Sequence, residues 1–117
     1  MAGARTRPRR HIESRPQIVP ARDHLLRTLV HPLRRQILRE LHKAGQALSP
    51  RELSLPLNYP LSNISYHVRV LRDAHALALT DAVPVRGSME HFYASTVEDD
   101  HWVRSVLEAD ERQDEGR

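Results

Sequence analysis

Cysteine is absent from the 117 residues. That removes disulfide staples, thiolate metal ligands and cysteine nucleophiles, and with them zinc fingers and thiol redox sensing. Aromatic residues are scarce, with one Trp, three Tyr and one Phe, so the core has to be built from Leu, Ile and Val. Four glycines leave no Gly-rich phosphate-binding loop. No apolar run approaches the length of a membrane span, and the Arg-rich start lacks the apolar stretch of a signal peptide. The expectation is a soluble, cytoplasmic chain without a membrane partner. At this length one compact unit with short tails is expected, which excludes a two-domain enzyme.

The formal net charge is +3, and its distribution says more than its sum. Residues 1–22 hold six Arg against Glu13, residues 23–95 hold nine Lys or Arg against six acids, and residues 96–117 hold three Arg against eight acids. The chain is basic in front and acidic behind. A basic front and middle suit a polyanionic partner such as nucleic acid, whereas an acidic tail commonly solvates its own segment.

From Met1 to Pro20 there are three Pro and five Arg but no apolar periodicity. Residues 1–21 therefore read as an arm that is unpacked in isolation. Leu25, Leu26, Leu29 and Val30 then recur at helical spacing, His31-Pro32 interrupts, and Leu33, Ile37, Leu38 and Leu41 continue the helical pattern. Pro32 suits the first turn of a second helix, and Gly45 its end. Ser49-Pro50-Arg51-Glu52 is a capping box with Pro at the first helical position. The helix it opens is short, because Pro56 and then Asn58-Tyr59-Pro60 stop it. A longer helix follows from Leu61 to about His75, with Ile64, His67, Val68 and Leu71 turned to the core. Leu77, Leu79 and Val83 then alternate at period two, Arg86-Gly87-Ser88 supplies a turn, and Met89 to Ser95 returns with Met89, His91 and Tyr93 on one face. From Val97 to about Glu111, Trp102, Val103, Val106 and Leu107 form the apolar stripe of a last helix, followed by an acidic tail.

This order predicts a fold that is mostly α with a small β-hairpin: a winged helix-turn-helix, ααααββα, over residues 22–95, with an added C-terminal helix over residues 96–117. Three stretches carry a more specific resemblance. His31-Pro32-Leu33-Arg34-Arg35-Gln36-Ile37-Leu38, Leu48-Ser49-Pro50-Arg51-Glu52-Leu53 and Leu61-Ser62-Asn63-Ile64-Ser65-Tyr66-His67-Val68-Arg69-Val70-Leu71 follow one another as in the arsenical-resistance-repressor (ArsR) family of bacterial winged-helix regulators. Arg86-Gly87-Ser88-Met89-Glu90-His91-Phe92-Tyr93 resembles that family's wing. The resemblance spans roughly residues 24–95. It implies a double-stranded DNA partner, a homodimer, and groove contacts at Ser62, Asn63, Ser65 and Tyr66.

The residues themselves support that implication. With Ile64, His67, Val68 and Leu71 inward, Ser62, Ser65, Tyr66 and Arg69 form the opposite stripe. Small hydroxyls let a helix sit deep in the major groove, Tyr66 offers stacking against a sugar or thymine methyl, and Arg69 suits a guanine or a phosphate. Two Ser and a Tyr in mid-helix are not what helix propensity alone selects. Arg51, at a helix N-terminus, suits a phosphate, and Arg86, at the hairpin tip, suits a phosphate or the minor groove. For both, an ordinary solvated Arg is the equal alternative. One of Arg34 and Arg35 is expected to pair with an acid such as Glu40 or Glu52.

No metal, cofactor or catalytic residue is expected. Metal-sensing members of the resembled family place a cysteine pair where this chain has Leu53-Ser54-Leu55, or ligands on the last helix, where Asp99-Asp100-His101 has no later histidine to complete it. The acids from Glu98 onward read instead as a helix N-terminus enriched for the dipole. The expected dimer interface is Leu25, Leu29, Trp102, Val103, Val106 and Leu107. The alternative to a DNA-binding regulator is a winged helix kept for protein interaction or dimerisation. No effector ligand is indicated by the sequence.

Overall fold

Caps define the first half of the chain. The computed structural model describes residues 22–115, so the expected basic arm lies outside the described residues. Helix α1 spans Arg22–Thr28 and α2 spans Pro32–Ala44. His31 caps α2, its Nδ1 accepting the Leu33 N–H at 3.2 Å. Pro32 takes the first turn, where its missing N–H costs nothing. At the other end Gly45 adopts φ +67°, and its N–H returns to the Leu41 carbonyl.

Helix α3, Pro50–Leu57, opens with both halves of the capping box: Ser49 Oγ accepts the Glu52 N–H and the Glu52 carboxylate accepts the Ser49 N–H, each at 3.1 Å. Pro56 falls in its last turn, and Asn58 closes it at φ +58°. Helix α4 follows over Leu61–Asp73. Strands β1, Leu77–Val85, and β2, Ser88–Ser95, pair antiparallel through a two-residue turn, Arg86-Gly87, with φ +49° and +83°. Two consecutive positive φ values match the right-handed twist of a tight hairpin. Leu48 and Tyr93 exchange both backbone hydrogen bonds, which anchors β2 to the segment leading into α3.

Simple alternation fails in β1. A bulge between Leu79 and Asp81 inserts Thr80, so Leu77 and Leu79 share the Tyr93 face while Val83 pairs with Glu90 on the other. Val83 then packs with Ala47, Phe92 and Ala94 in a small second cluster. Of the expected β2 face, Tyr93 is buried whereas Met89 and His91 are exposed, because the tip of the hairpin projects past the core.

The final helix, α5, runs from His101 to Glu115 and so begins four residues later than the apolar pattern predicts. Asp100 decides its start: its Oδ1 accepts the Val103 N–H at 3.1 Å, and Val97 is buried before the helix begins. The main core gathers around α2, whose Leu33, Ile37, Leu38 and Leu41 lie with Leu53, Ile64, Val68, Leu71 and Leu77. Leu25, Leu29, Val103 and Leu107 belong to the same cluster. These four, expected at the interface with a second copy, are buried against their own chain. Trp102 is half-buried against the core and Val106 is half-buried, while Leu26 and Val30 are 46% and 72% exposed.

The arginine pairing also differs from expectation. Arg35 and Arg39 both pair with Asp110 of α5, and Arg35 also donates to the carbonyls of Leu29 and Val30. Glu40 instead meets Lys43, and Glu52 is used in the α3 cap. Arg22 reaches Asp100 at 3.2 Å and lies over the Trp102 ring, joining α1 to α5.

Burial acts to raise the Asp100 pKa, but the Val103 N–H and the Arg22 guanidinium outweigh it and hold the carboxyl below its ordinary value. A lowered folded pKa gives stability that is fully present above the unfolded value and is lost as pH falls through the folded one. Asp100→Ala is expected to lower unfolding free energy by about 1 kcal/mol at neutral pH and by less in acid, as read from urea denaturation at several pH values.

Candidate nucleic-acid interface

Helix α4 divides cleanly into two faces. Ile64, His67, Val68 and Leu71 are buried, and Ser62, Asn63, Tyr66 and Arg69 are exposed with Ser65 half-buried beside them. The inward face holds the helix on α2 and α3, leaving the hydroxyl-rich face open. Tyr66 is 53% exposed, and its ring meets the edge of His67.

Between α4, the first turn of α3 and the hairpin lies a cleft of about 480 Å³. Arg51, Ser65, Arg69 and Arg86 all line it, so four of the seven predicted residues converge from three separate elements. Ser62, Asn63 and Tyr66 do not line the cleft and lie on the exposed face of α4. Among the described residues Arg51, Arg69 and Arg86 enter no ion pair, in contrast to Arg35 and Arg39 against α5. Three unpaired guanidinium groups around one concavity make a positive site, whose low-dielectric walls strengthen its field.

Sequence reasoning missed Glu90 and His91, which line the same cleft. The charge of Glu90 runs against an anion site, so composition gave no reason to place it there. The available signal was its position in β2, next to a residue already placed on the wing.

Behind α4 lies a histidine cluster. His67 is 8% exposed, its Nδ1 accepts the Arg34 Nε–H at 3.1 Å, and its ring centre stands 4.3 Å from that of His31. Arg34 also donates to the Thr28 carbonyl. Because its Nδ1 accepts from a cationic donor, His67 is the neutral tautomer with its proton on Nε2. Burial first, then the charges of His31 and Arg34, hold the His67 pKa below its ordinary value. The packed histidine expected from the sequence is found, with a cationic donor as its partner.

The helix-turn-helix domain family matches residues 29–80, from the end of α1 into β1. Reduced HlyU from Vibrio cholerae N16961 is similar at 25% identity, with a TM-score of 0.57 over 79% of this chain and 86% of that one. The transcriptional repressor PagR of Bacillus anthracis is 26% identical, with a TM-score of 0.56 over 75% of this chain and 90% of its own. The transcriptional regulator HlyU from Vibrio vulnificus CMCP6, at 23% identity and a TM-score of 0.56 over 79% and 85% of the two chains, shares the fold. No curated protein matches the chain. Among the described residues no helix is long and apolar enough to cross a membrane, and no group of three or more His, Asp or Glu is placed to hold a metal.

A lowered histidine pKa means that the unfolded chain binds the proton first as pH falls, so stability is full above about 6.5 and declines through the folded value. His67→Gln keeps an acceptor for Arg34 and cannot titrate. Its unfolding free energy is expected to fall less steeply than that of the parent as pH drops below about 6.5, and parallel slopes in the two chains would contradict the burial of a neutral His67.

Proposed function

We propose that the chain is an ArsR-like winged helix-turn-helix regulator that binds DNA and acts as a homodimeric repressor of transcription. Helix α4 enters the major groove with Ser62, Asn63, Ser65, Tyr66 and Arg69, while Arg51 and the wing residue Arg86 hold the backbone or the adjacent minor groove. The observation that carries this reading is the convergence of unpaired Arg51, Arg69 and Arg86 on the cleft beside a hydroxyl-rich helix face. Such a division of labour is what base reading and backbone holding require. The repressor assignment draws on PagR, which is a transcriptional repressor. A dimer bound across an operator represses by occupying the duplex that polymerase needs. The fold is that of regulators rather than enzymes, and the setting is the cytoplasm.

For the dimer, the outer faces of α1 and α5 are the surface we assign. Leu26 and Val30 are exposed on one side and Trp102 and Val106 are half-buried on the other, next to core already closed by Leu25, Leu29, Val103 and Leu107. A pseudo-palindromic operator follows from a two-fold dimer.

Affinity for the duplex upstream of the chain's own gene, compared with random duplex at two salt concentrations, tests the reading directly. One preferred duplex marks a regulator, equal affinity with a steep salt slope marks backbone binding alone, and no binding marks an interaction module. Ser65→Ala or Tyr66→Ala is expected to cost about 1–3 kcal/mol on the preferred site and little on random duplex, whereas Arg86→Ala weakens both and lowers the salt slope by about one unit.

In sedimentation equilibrium, Leu26→Glu with Val106→Glu is expected to give a folded monomer with weakened operator binding. A double variant that remains dimeric would move the interface elsewhere.

A further inference from the structure

We propose that Glu90 is a positioning residue that latches the wing to the helix-turn-helix and so sets where Arg86 meets DNA; this rests on the DNA-binding reading above. Ser49 is fully buried, and its hydroxyl does two things at once. It accepts the Glu52 N–H as the cap of α3, and it donates to Glu90 Oε2 at 2.6 Å. A hydroxyl-to-carboxylate bond of that length is charge-assisted and among the stronger hydrogen bonds in proteins. It joins two elements that are 41 residues apart in sequence and that both contribute arginines to the cleft.

The position of Glu90 along the hairpin gives the bond its leverage. The base of β2 is held by the Leu48–Tyr93 backbone pair. Beyond Glu90 lie only Met89, Ser88 and the turn, all exposed, and a two-stranded hairpin by itself is marginal in water. Glu90 is therefore the last tie between the body of the fold and the tip that carries Arg86. Arg86 itself sits at φ +49°, in a turn whose backbone already fixes the start of its side chain. Holding the strand beneath it determines where the guanidinium points.

Charge sharpens the assignment. A carboxylate in a cleft that receives phosphates weakens their binding, and a glutamine would accept from Ser49 without that repulsion. The stronger, charged bond is thus present at a cost to affinity, as a device for geometry would be.

A double-mutant cycle on the full chain with operator duplex tests the latch. In the parent and in Glu90→Gln, Arg86→Ala is expected to lower affinity about tenfold, and Glu90→Gln alone to raise it a few-fold. Glu90→Leu, which has no acceptor for Ser49, is expected to lower affinity about tenfold by itself and to leave Arg86→Ala with less than a twofold further effect. Arg69→Ala should cost the same in all three backgrounds. Equal tenfold losses from Arg86→Ala with and without the latch would overturn the proposal. A readout without DNA runs beside it: ¹⁵N order parameters of Arg86, Gly87 and Ser88 should fall in Glu90→Leu and hold in Glu90→Gln, and unchanged values in Glu90→Leu would overturn the latch by themselves. If the parent binds no duplex, the DNA reading fails while the order parameters still decide the latch. Glu90→Ser, too short to reach Ser49, replaces Glu90→Leu should the latter not fold.

Discussion

Leu33, Ile37, Leu38 and Leu41 of α2 are the surface on which the other helices rest. All four are buried, and they share one cluster with residues of α1, α3, α4, α5 and both strands. Burial of a single Leu or Ile is worth about 1.5–3 kcal/mol, so this one helix face supplies a large part of what a chain this short can gain. The faces of α3 and α4 turned away from it are thereby released from structural duty. Only because Ile64, Val68 and Leu71 are enough to seat α4 can its other side be spent on Ser, Asn, Tyr and Arg.

The cationic residues sort along the same line. Arg22, Arg35 and Arg39 meet acids of the segment at and after Asp100, and Arg34 meets a neutral histidine and a carbonyl. The ion pairs tie the C-terminal helix and its start to the first two helices. The acidic end of the chain thus neutralises part of the basic domain, while Arg51, Arg69 and Arg86 around the cleft enter no ion pair among the described residues.

Residues with local signals were legible in advance. The capping box at Ser49, Pro32 at the start of α2, Gly45 at its end and the period of α4 each depend on neighbours within four positions, and each appears as read. What escaped depends on distant partners. The start of α5 is set by Asp100 with Arg22, and Asp110 captures Arg35 and Arg39 across the domain. The apolar stripe of α5 was visible, but whether it faced its own chain or another was not, because periodicity records a buried face and not what buries it. The site shows the same division. Arg51, Ser65, Arg69 and Arg86 were singled out from their positions on elements and line one cleft, whereas the place of Glu90 in that cleft required knowledge of what lies opposite β2.

Thr80 illustrates how one residue can change the phase of a strand. Its hydroxyl donates to the Phe92 carbonyl, and its backbone is the extra step that carries Val83 to the face of Phe92 and Ala94. Every residue from Asp81 to Val85 inherits that half-period shift. Were Thr80 paired instead of bulged, it would stand opposite Phe92 and Val83 opposite Met89, so Val83 would leave the second cluster and no longer stand beside Glu90. The bulge is therefore as constrained as the identity of a core residue, although the position itself is open to solvent.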